Sequence, residues 1–331
     1  MCNIPRVLHR GLKSGDLVEV RSAGEILATL DEAAALESLP FMPEMLPYLG
    51  RRFVVDKRAD KICDTIAQTG SRRLHDSVML ADLRCEGSAH AGCQAECRLF
   101  WKEKWLKPVE SFAPGAVPAA DDGAYDSLRK LAEANVMRGD LYRCQATELL
   151  RATERLRTFD PRPYLREYAS GNVPLGTFVK VVARAAVEQP LVRLGVIGGA
   201  PLHGDTASSP KHPTLGLQPG EWVQVKSPGE IEATLNDDGK HRGLYFDREM
   251  LPFCGKTYRV KKRVTRIIDD HTGAVIEMKS DCVTLEDVVC SGERSFSRYF
   301  CPRAILPYWR ECWLRRALAP AAAQRVEACG T

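Results

Sequence analysis

An internal repeat constrains this chain more than any other feature of its sequence. The segment GDLVEVRSAGEILATL, which begins at Gly15, aligns without a gap with GEWVQVKSPGEIEATL, which begins at Gly220. The same register continues from EMLPYLGRRFVV at Glu44 to EMLPFCGKTYRV at Glu249. A repeat of this length indicates a duplicated folding unit, and it fixes domain boundaries without reference to any other protein.

The repeat divides the chain into five predicted parts. These are a first module at 12–110, a helical connector at 111–198, a flexible linker at 199–216, a second module at 217–318 and a tail at 319–331. Helix-compatible spacing runs from Asp122 to Met137, and two further short helices are predicted on either side of Ser170-Gly171-Asn172. The linker and the stretch PGAVPAADDG are rich in Gly, Pro, Ser or Ala, which is typical of exposed connections.

Both repeats show the period-2 alternation of short antiparallel strands, as in LVEV and WVQV. We therefore predict a mainly β fold with some α, in which two homologous small β-barrel modules of the SH3-like type are joined by a helical segment. Trp101 and Trp105 are four residues apart, as are Trp309 and Trp313. This spacing predicts one face of a short helix, with the indoles packed in the core.

Cysteine is unusually frequent, with 12 residues in a chain of 331. Because no apolar run is long enough for a signal peptide or a membrane span, we expect a cytoplasmic protein without membrane contact. A reducing compartment disfavours disulfides, so metal ligation becomes the leading explanation for the thiols. The net charge of +4 is too small to indicate nucleic acid by itself.

The first repeat carries the densest cysteine set. Cys63, Cys85, Cys93 and Cys97 are predicted to converge on one metal ion or cluster, because a turn of loop or helix brings ligands four residues apart together. His90 lies between the second and third of them. It is open whether His90 is a fifth ligand, a hydrogen-bond donor to a ligand sulfur, or a solvated loop residue.

The second repeat keeps only part of this set. Cys290 and Cys301 are the counterparts of Cys85 and Cys93 and form a possible second site, while Ile268 and Ile305 replace Cys63 and Cys97. Because apolar residues replace two of the four predicted ligands, we predict that the second repeat keeps the scaffold but not a complete metal site. Cys282 and Cys312 do not occupy equivalent positions.

The spacing does not identify the metal. Four thiolates suit structural zinc or an iron–sulfur cluster. The single C-x-x-x-C with distant partners departs from the paired C-x-x-C knuckles of zinc ribbons, which favours an iron–sulfur cluster or iron, with zinc as the alternative. Cys144, in YRCQATEL, belongs to neither repeat and is a candidate extra ligand, reactive thiol or buried residue.

Several of these motifs together resemble one family. The segments LPFMPEMLPYLGRRFVV, KICDT, the cysteine-rich run ending in FWKEKWLK, CQATEL and SGNVPLGTFV are similar to uncharacterised bacterial tandem-repeat proteins found in gene clusters for polysaccharides and specialised metabolites. The resemblance covers nearly the whole chain and implies an architecture and a biosynthetic setting, without a reaction. It singles out the following residues: Cys63, Asp64, Cys85, His90, Cys93, Cys97 and Cys144.

Two function classes follow from the sequence. The first is a cysteine-ligated metalloprotein that acts as a redox enzyme, or as an accessory factor to a biosynthetic enzyme or small-molecule substrate; the catalytic candidates are Cys144, His90 and Asp64. Asp64 has a counterpart in Asp269, which favours a structural turn role. The alternative is a zinc-stapled tandem module that binds a protein or nucleic acid through Lys261, Lys262 and Arg263. No phosphate-binding loop, nucleophile elbow or H-E-x-x-H motif occurs.

Overall fold

The computed structural model describes residues 11–111, 122–157, 160–194, 201–205, 207–210, 212–295 and 298–320. The chain forms two compact units, one made of residues 1–84 and 98–178, the other of residues 85–97 and 179–331. The fold is mainly antiparallel β with additional helices. None of the helices in the described ranges is long and apolar enough to cross a bilayer. Most of PGAVPAADDG and of the predicted tail lies outside the described residues.

The first repeat is built on a five-stranded antiparallel sheet. Its strands, in chain order, are β1 (Leu17–Val20), β2 (Ala35–Leu36), β3 (Leu39–Pro40), β4 (Arg52–Arg58), β5 (Ile62–Cys63), β6 (Ser71–Arg73), β7 (Ser77–Arg84), β8 (Arg98–Lys102) and β9 (Leu106–Pro108). The order in the main sheet is β8-β7-β4-β1-β9. Helix α1 (Ala23–Leu27) follows β1, and 3-10 helices span Pro43–Tyr48 and Glu103–Trp105.

The connector contributes helices and three short strands. These are α2 (Asp122–Ala134), β10 (Met137–Arg138), β11 (Leu141–Tyr142), α3 (Leu149–Ala152), β12 (Glu154–Arg155), α4 (Arg162–Ala169) and α5 (Leu175–Arg193). The predicted helices are therefore present, and the last is longer than expected. Gly171, with φ of +77°, separates α4 from α5 at the predicted position. Strand β12 joins β6 and β5 in a three-stranded sheet.

The second repeat has the same architecture. Its elements are β13 (Trp222–Val225), α6 (Pro228–Glu232), β14 (Lys240–His241), β15 (Leu244–Tyr245), β16 (Thr257–Arg263), β17 (Arg266–Ile268), β18 (Val275–Glu277), β19 (Cys282–Leu285), β20 (Trp309–Arg310) and β21 (Leu314–Arg316), with 3-10 helices at Arg248–Phe253 and Glu311–Trp313. The order β20-β19-β16-β13-β21 repeats that of the first sheet. A register shift recurs too, between Val55 and Lys57 in β4 and between Val260 and Lys262 in β16.

Equivalent residues make equivalent contacts in the two cores. Phe41 packs edge-on against Trp105 at a centroid distance of 5.4 Å, and Phe246 packs against Trp313 at 5.3 Å. The two indoles donate hydrogen bonds to a threonine hydroxyl, Thr29 in one repeat at 3.0 Å and Thr234 in the other at 2.9 Å. The duplicated sequence therefore encodes a duplicated core.

The predicted short helix through the tryptophans is wrong, although their burial is confirmed. Trp101 lies on β8, opposite Val78 of β7, and Trp105 ends a one-turn 3-10 helix. Leu99, Phe100 and Trp101 favour an extended strand, and pairing with β7 fixes them there. The turn then returns Trp105 to the same core, so that both indoles are fully buried.

Residues of the predicted flexible linker are hydrogen-bonded to the second repeat. Glu311 is 2% exposed and accepts backbone N–H bonds from Leu215, Gly216 and Leu217 at 2.6–2.8 Å. Gly204 N donates to the carbonyl of Asn236 at 2.9 Å. The described part of this segment has no regular secondary structure, yet these bonds fasten it along the module that follows.

Candidate metal site in the loop between β7 and β8

The loop formed by residues 85–97 carries most of the predicted ligands. It connects β7 to β8 of the first repeat, but it belongs to the second compact unit. The N–H of Cys85 donates to the carbonyl of Cys97 at 2.8 Å and closes the loop at its base. In the second repeat, Cys290 and Ile305 form the same bond at 2.8 Å. The equivalent backbone hydrogen bonds therefore support the sequence alignment of Cys97 with Ile305.

A tight turn folds the middle of this loop. The carbonyl of Gly87 accepts the N–H of His90 at 3.0 Å and that of Gly92 at 2.9 Å, and the N–H of Cys93 donates to the carbonyl of His90 at 2.9 Å. Gly87 has a φ of +74°, and a Cβ at this position would lie 2.1 Å from the carbonyl oxygen of Cys93. The turn therefore requires glycine for two reasons, its backbone conformation and the close approach.

Cys85 and His90 lie close together on this loop. The sulfur of Cys85 is within 4.8 Å of a ring nitrogen of His90. His90 is 1% exposed, so it is not a solvated loop residue, and the two other interpretations of this residue remain. A thiolate and an imidazole at this separation are two donors that a single transition-metal ion can bridge.

The second half of the loop is held by the second repeat. The backbone N–H of Ile268 donates to the sulfur of Cys93 at 3.3 Å. Gln94 forms a backbone bond to Arg266 at 3.0 Å. Glu96 forms ion pairs with Lys261 and Lys262. These contacts fix the orientation of the Cys93 side chain from outside the loop.

Cys93 and Cys97 both lie near Tyr308. Burial raises the pKa of the Tyr308 phenol well above its ordinary value, and negative charge on Cys97, Cys93 or Cys282 raises the same pKa further. In the second unit, Cys85 therefore lies beside His90, and Cys93 and Cys97 act electrostatically on Tyr308.

The four predicted ligand cysteines are distributed over both compact units. Cys63 lies on β5 in the first unit and is 1% exposed. Within the described residues, no group of three or more of Cys63, Cys85, Cys93 and Cys97 has its sulfurs within 4.8 Å of one another. A separation of 4.8 Å is the spacing expected for ligands of a single ion. In an iron–sulfur cluster, iron and sulfide lie between the thiolates and hold them further apart. The four-sulfur site therefore stays a prediction.

Asp64 structures a turn, as its counterpart does. Its carboxylate accepts N–H bonds from Ile66, Ala67 and Thr69 at 2.8–3.2 Å and the Thr69 hydroxyl bond at 2.6 Å. These hydrogen bonds outweigh burial and hold the pKa of Asp64 below its ordinary value. In the second repeat, Asp269 accepts from the Thr272 hydroxyl at 2.6 Å. A carboxylate bound in this way is a poor general base.

Cys144 stands at the start of a turn in the connector. Its N–H donates to the Thr147 hydroxyl at 2.9 Å, and its carbonyl accepts the Glu148 N–H at 3.1 Å. The next residue, Gln145, is buried and bonds both the N–H and the carbonyl of Phe100 at 2.8 and 2.9 Å. The polar residues that follow Cys144 therefore have structural roles in the connector.

The corresponding loop of the second repeat has different chemistry. Arg298 takes the place of His90, because its carbonyl accepts the Cys301 N–H at 2.9 Å as the His90 carbonyl accepts that of Cys93. Arg298 forms an ion pair with Asp247. A guanidinium cannot ligate a metal, so the second loop keeps the fold and loses a donor. Sequence alignment alone missed this equivalence, since the two loops differ in length.

The basic strand proposed for nucleic-acid binding is neutralised within the second unit. Lys261 and Lys262 pair with Glu96, and Arg263 pairs with Asp281 and Glu311. Cations already held by carboxylates contribute less to counterion release from a phosphate backbone. Nothing in this strand therefore favours the nucleic-acid alternative.

No protein-family model, no curated protein and no solved structure matches this chain.

Proposed function

We propose that this chain is a metalloprotein whose metal centre is built on the loop of residues 85–97. The observation that carries the proposal is the pairing of the Cys85 sulfur with the buried His90 ring within 4.8 Å. Thiolate and imidazole are the donors that iron and zinc accept in proteins, and a buried imidazole beside a half-buried thiol is the arrangement that a bound cation would stabilise.

Cys93 and Cys97 are the further donors in this proposal. The Ile268 N–H bond to the Cys93 sulfur is the kind of contact that orients and tunes a ligating thiolate. The second repeat, with Arg298 in place of His90, is then chiefly a scaffold that holds this half of the loop. Cys290 and Cys301 keep the backbone of the site without the imidazole.

The wider parts of the proposal follow from the sequence. We propose that each repeat is an SH3-like barrel, and that the protein resembles the bacterial tandem-repeat family named above in acting as a redox enzyme or accessory factor of a biosynthetic pathway. Iron, alone or in a cluster, is favoured over zinc for that role. We propose the cytoplasm as its location, because a reducing compartment keeps thiols available for metal.

Metal analysis of the intact protein tests the proposal. Protein purified without oxygen is expected to contain roughly one metal centre per chain, measured as iron, zinc and acid-labile sulfide together with an absorption spectrum. Cys85→Ser and His90→Gln are each expected to lower metal content or affinity at least ~10-fold, because each removes a donor. Visible absorption with sulfide identifies a cluster, whereas a colourless zinc protein identifies the alternative metal.

Cys290→Ser is the matched control, since it makes the same change at the equivalent backbone position of the second repeat. It is expected to leave the metal content unchanged. The proposal is wrong if the wild-type protein is folded and metal-free after anaerobic purification, or if the two loop variants keep wild-type metal content.

A further inference from the structure

The two repeats differ in charge at one buried position beside a hairpin turn. In the first repeat, Lys102 is 2% exposed and its ammonium donates to the Glu37 carboxylate at 2.6 Å. In the second repeat the equivalent residues are Arg310 and Arg242. In the first repeat, Glu37 neutralises the buried Lys102. In the second repeat, a cation, Arg242, occupies the position of that acid beside the buried Arg310.

Backbone geometry supports this equivalence. Glu37 and Ser38 have φ values of 52° and 64° at the turn between β2 and β3, and Arg242 and Gly243 have φ values of 46° and 83° between β14 and β15. Both turns have left-handed central residues, as two-residue hairpin turns require. The Arg242 side chain therefore leaves the backbone from the position that Glu37 has in the first repeat.

Arg310 is a buried guanidinium without a carboxylate partner. It is 7% exposed, and its terminal nitrogens donate to the carbonyls of Ser280 at 2.9 Å and Arg242 at 3.1 Å. Its Nε is buried and has no hydrogen-bond partner. No carboxylate of the described residues forms an ion pair with Arg242 or Arg310. Asp281 is nearby but is bound by Arg263 and Thr214.

The surroundings add further cationic or neutral polar groups. His241 is 4% exposed and adjoins Arg242 in the chain, and the ring of His212 lies 5.6 Å from that of His241. Burial lowers the pKa of both Arg310 and His241. A buried cation that lacks a counter-ion is costly, and binding of an external anion relieves that cost.

We propose that Arg242 and Arg310 form a binding site in the second repeat for an oxyanion, the carboxylate or phosphate group of a small ligand. The anion takes the role that the Glu37 carboxylate has in the first repeat. Arg242 is exposed and contacts the anion from the solvent side, and Arg310 supplies the buried positive charge. The planar guanidinium fork suits both carboxylate and phosphate geometry. This site is independent of the metal centre.

Anion titrations of the full chain test the site. Inorganic phosphate and acetate, compared with chloride at equal ionic strength, are expected to raise the unfolding temperature and to give saturable binding by calorimetry. A response to phosphate but not acetate assigns the site to phosphoryl groups, and a response to acetate as well assigns it to carboxylates. Absence of any response to both anions overturns the proposal.

Arg242→Glu is the decisive variant, because it restores the residue of the first repeat. We expect anion affinity to fall at least ~10-fold and the unfolding temperature without added anion to rise, since Arg310 gains an internal carboxylate. Arg157→Glu makes the same charge change at an exposed position of the first unit and is expected to bind the anions as the wild type does. Equal affinity in the two variants contradicts the site. If Arg242→Glu does not fold, Arg242→Gln is used, with the same expected loss of binding.

Discussion

Raising the pH from about 5 to about 9 is expected to lower the free energy of unfolding by about 4 kcal/mol through one residue, Glu167. Glu167 lies on α4, is fully buried and accepts a hydrogen bond from the Asn172 amide at 2.6 Å. Its other carboxylate oxygen has no hydrogen-bond partner. Burial is the main cause that raises its pKa to about 8, from an ordinary value of 4.5.

The neighbouring charges act in both directions. Lys61 and Lys57 lower the pKa of Glu167, and Asp60 raises it. Because the folded-state pKa is above the unfolded-state value, the folded protein binds more protons between the two values. The stabilisation is complete below about pH 4.5 and is lost as the pH rises through about 8. In the protonated form the carboxyl group is neutral and avoids the cost of a buried charge.

Denaturant unfolding measured at several pH values checks this prediction. Glu167→Gln keeps the shape and the Asn172 contact, and it is expected to flatten the pH dependence while leaving stability near pH 5 within about 1 kcal/mol of the wild type. Glu133→Gln on the exposed face of α2 is the control and should keep the wild-type slope. A pH dependence of stability that is the same in Glu167→Gln and in the wild type would contradict the prediction.

Gly87→Ala is expected to cost about 2–4 kcal/mol of stability and, if loop 85–97 is the proposed metal site, to lower the metal content of the protein. The new Cβ would lie 2.1 Å from the Cys93 carbonyl oxygen and 2.8 Å from the Cys93 nitrogen. Both of these are backbone atoms, so no flexible side chain can move aside. The clash can be removed only if the turn that joins His90 to Cys93 opens. Thermal unfolding and metal analysis of the purified variant measure the two effects separately.

Substitutions of two other glycines distinguish backbone strain from the steric clash, and metal loss from general destabilisation. Gly92→Ala in the same loop has a φ of +69° but no atom within 4 Å of its Cβ position, so it is expected to cost only about 1–2 kcal/mol from backbone strain. Gly292→Ala meets Cys301 backbone atoms at 2.8 Å in the second repeat, and it should destabilise the fold without changing metal content. Equal metal loss in the Gly87 and Gly292 variants would mean that loop 85–97 is not the metal site.

Much of the fold was predictable because the duplication is written in the sequence. Ser22 with Glu25 and Ser227 with Glu230 form capping boxes that begin α1 and α6, and both pairs have the same S-x-x-E spacing in the sequence. The strand pattern and the connector helices follow from local periodicity in the same way. The predicted tryptophan helix is wrong, since the spacing of two buried residues alone does not distinguish a strand followed by a tight turn from a helix.

The sequence by itself determined the two repeats, their antiparallel strands and the replacement of two cysteines by Ile268 and Ile305 in the second copy, because these depend on residue order and local conformation. Only the tertiary structure placed the loop of residues 85–97 in the second unit, paired Cys85 with His90 and put Arg298 in the position of His90. It also set Arg242 beside Arg310. Side chains distant in sequence become neighbours through packing and hydrogen bonds, and the spacing of cysteines along a chain carries no information about those distances.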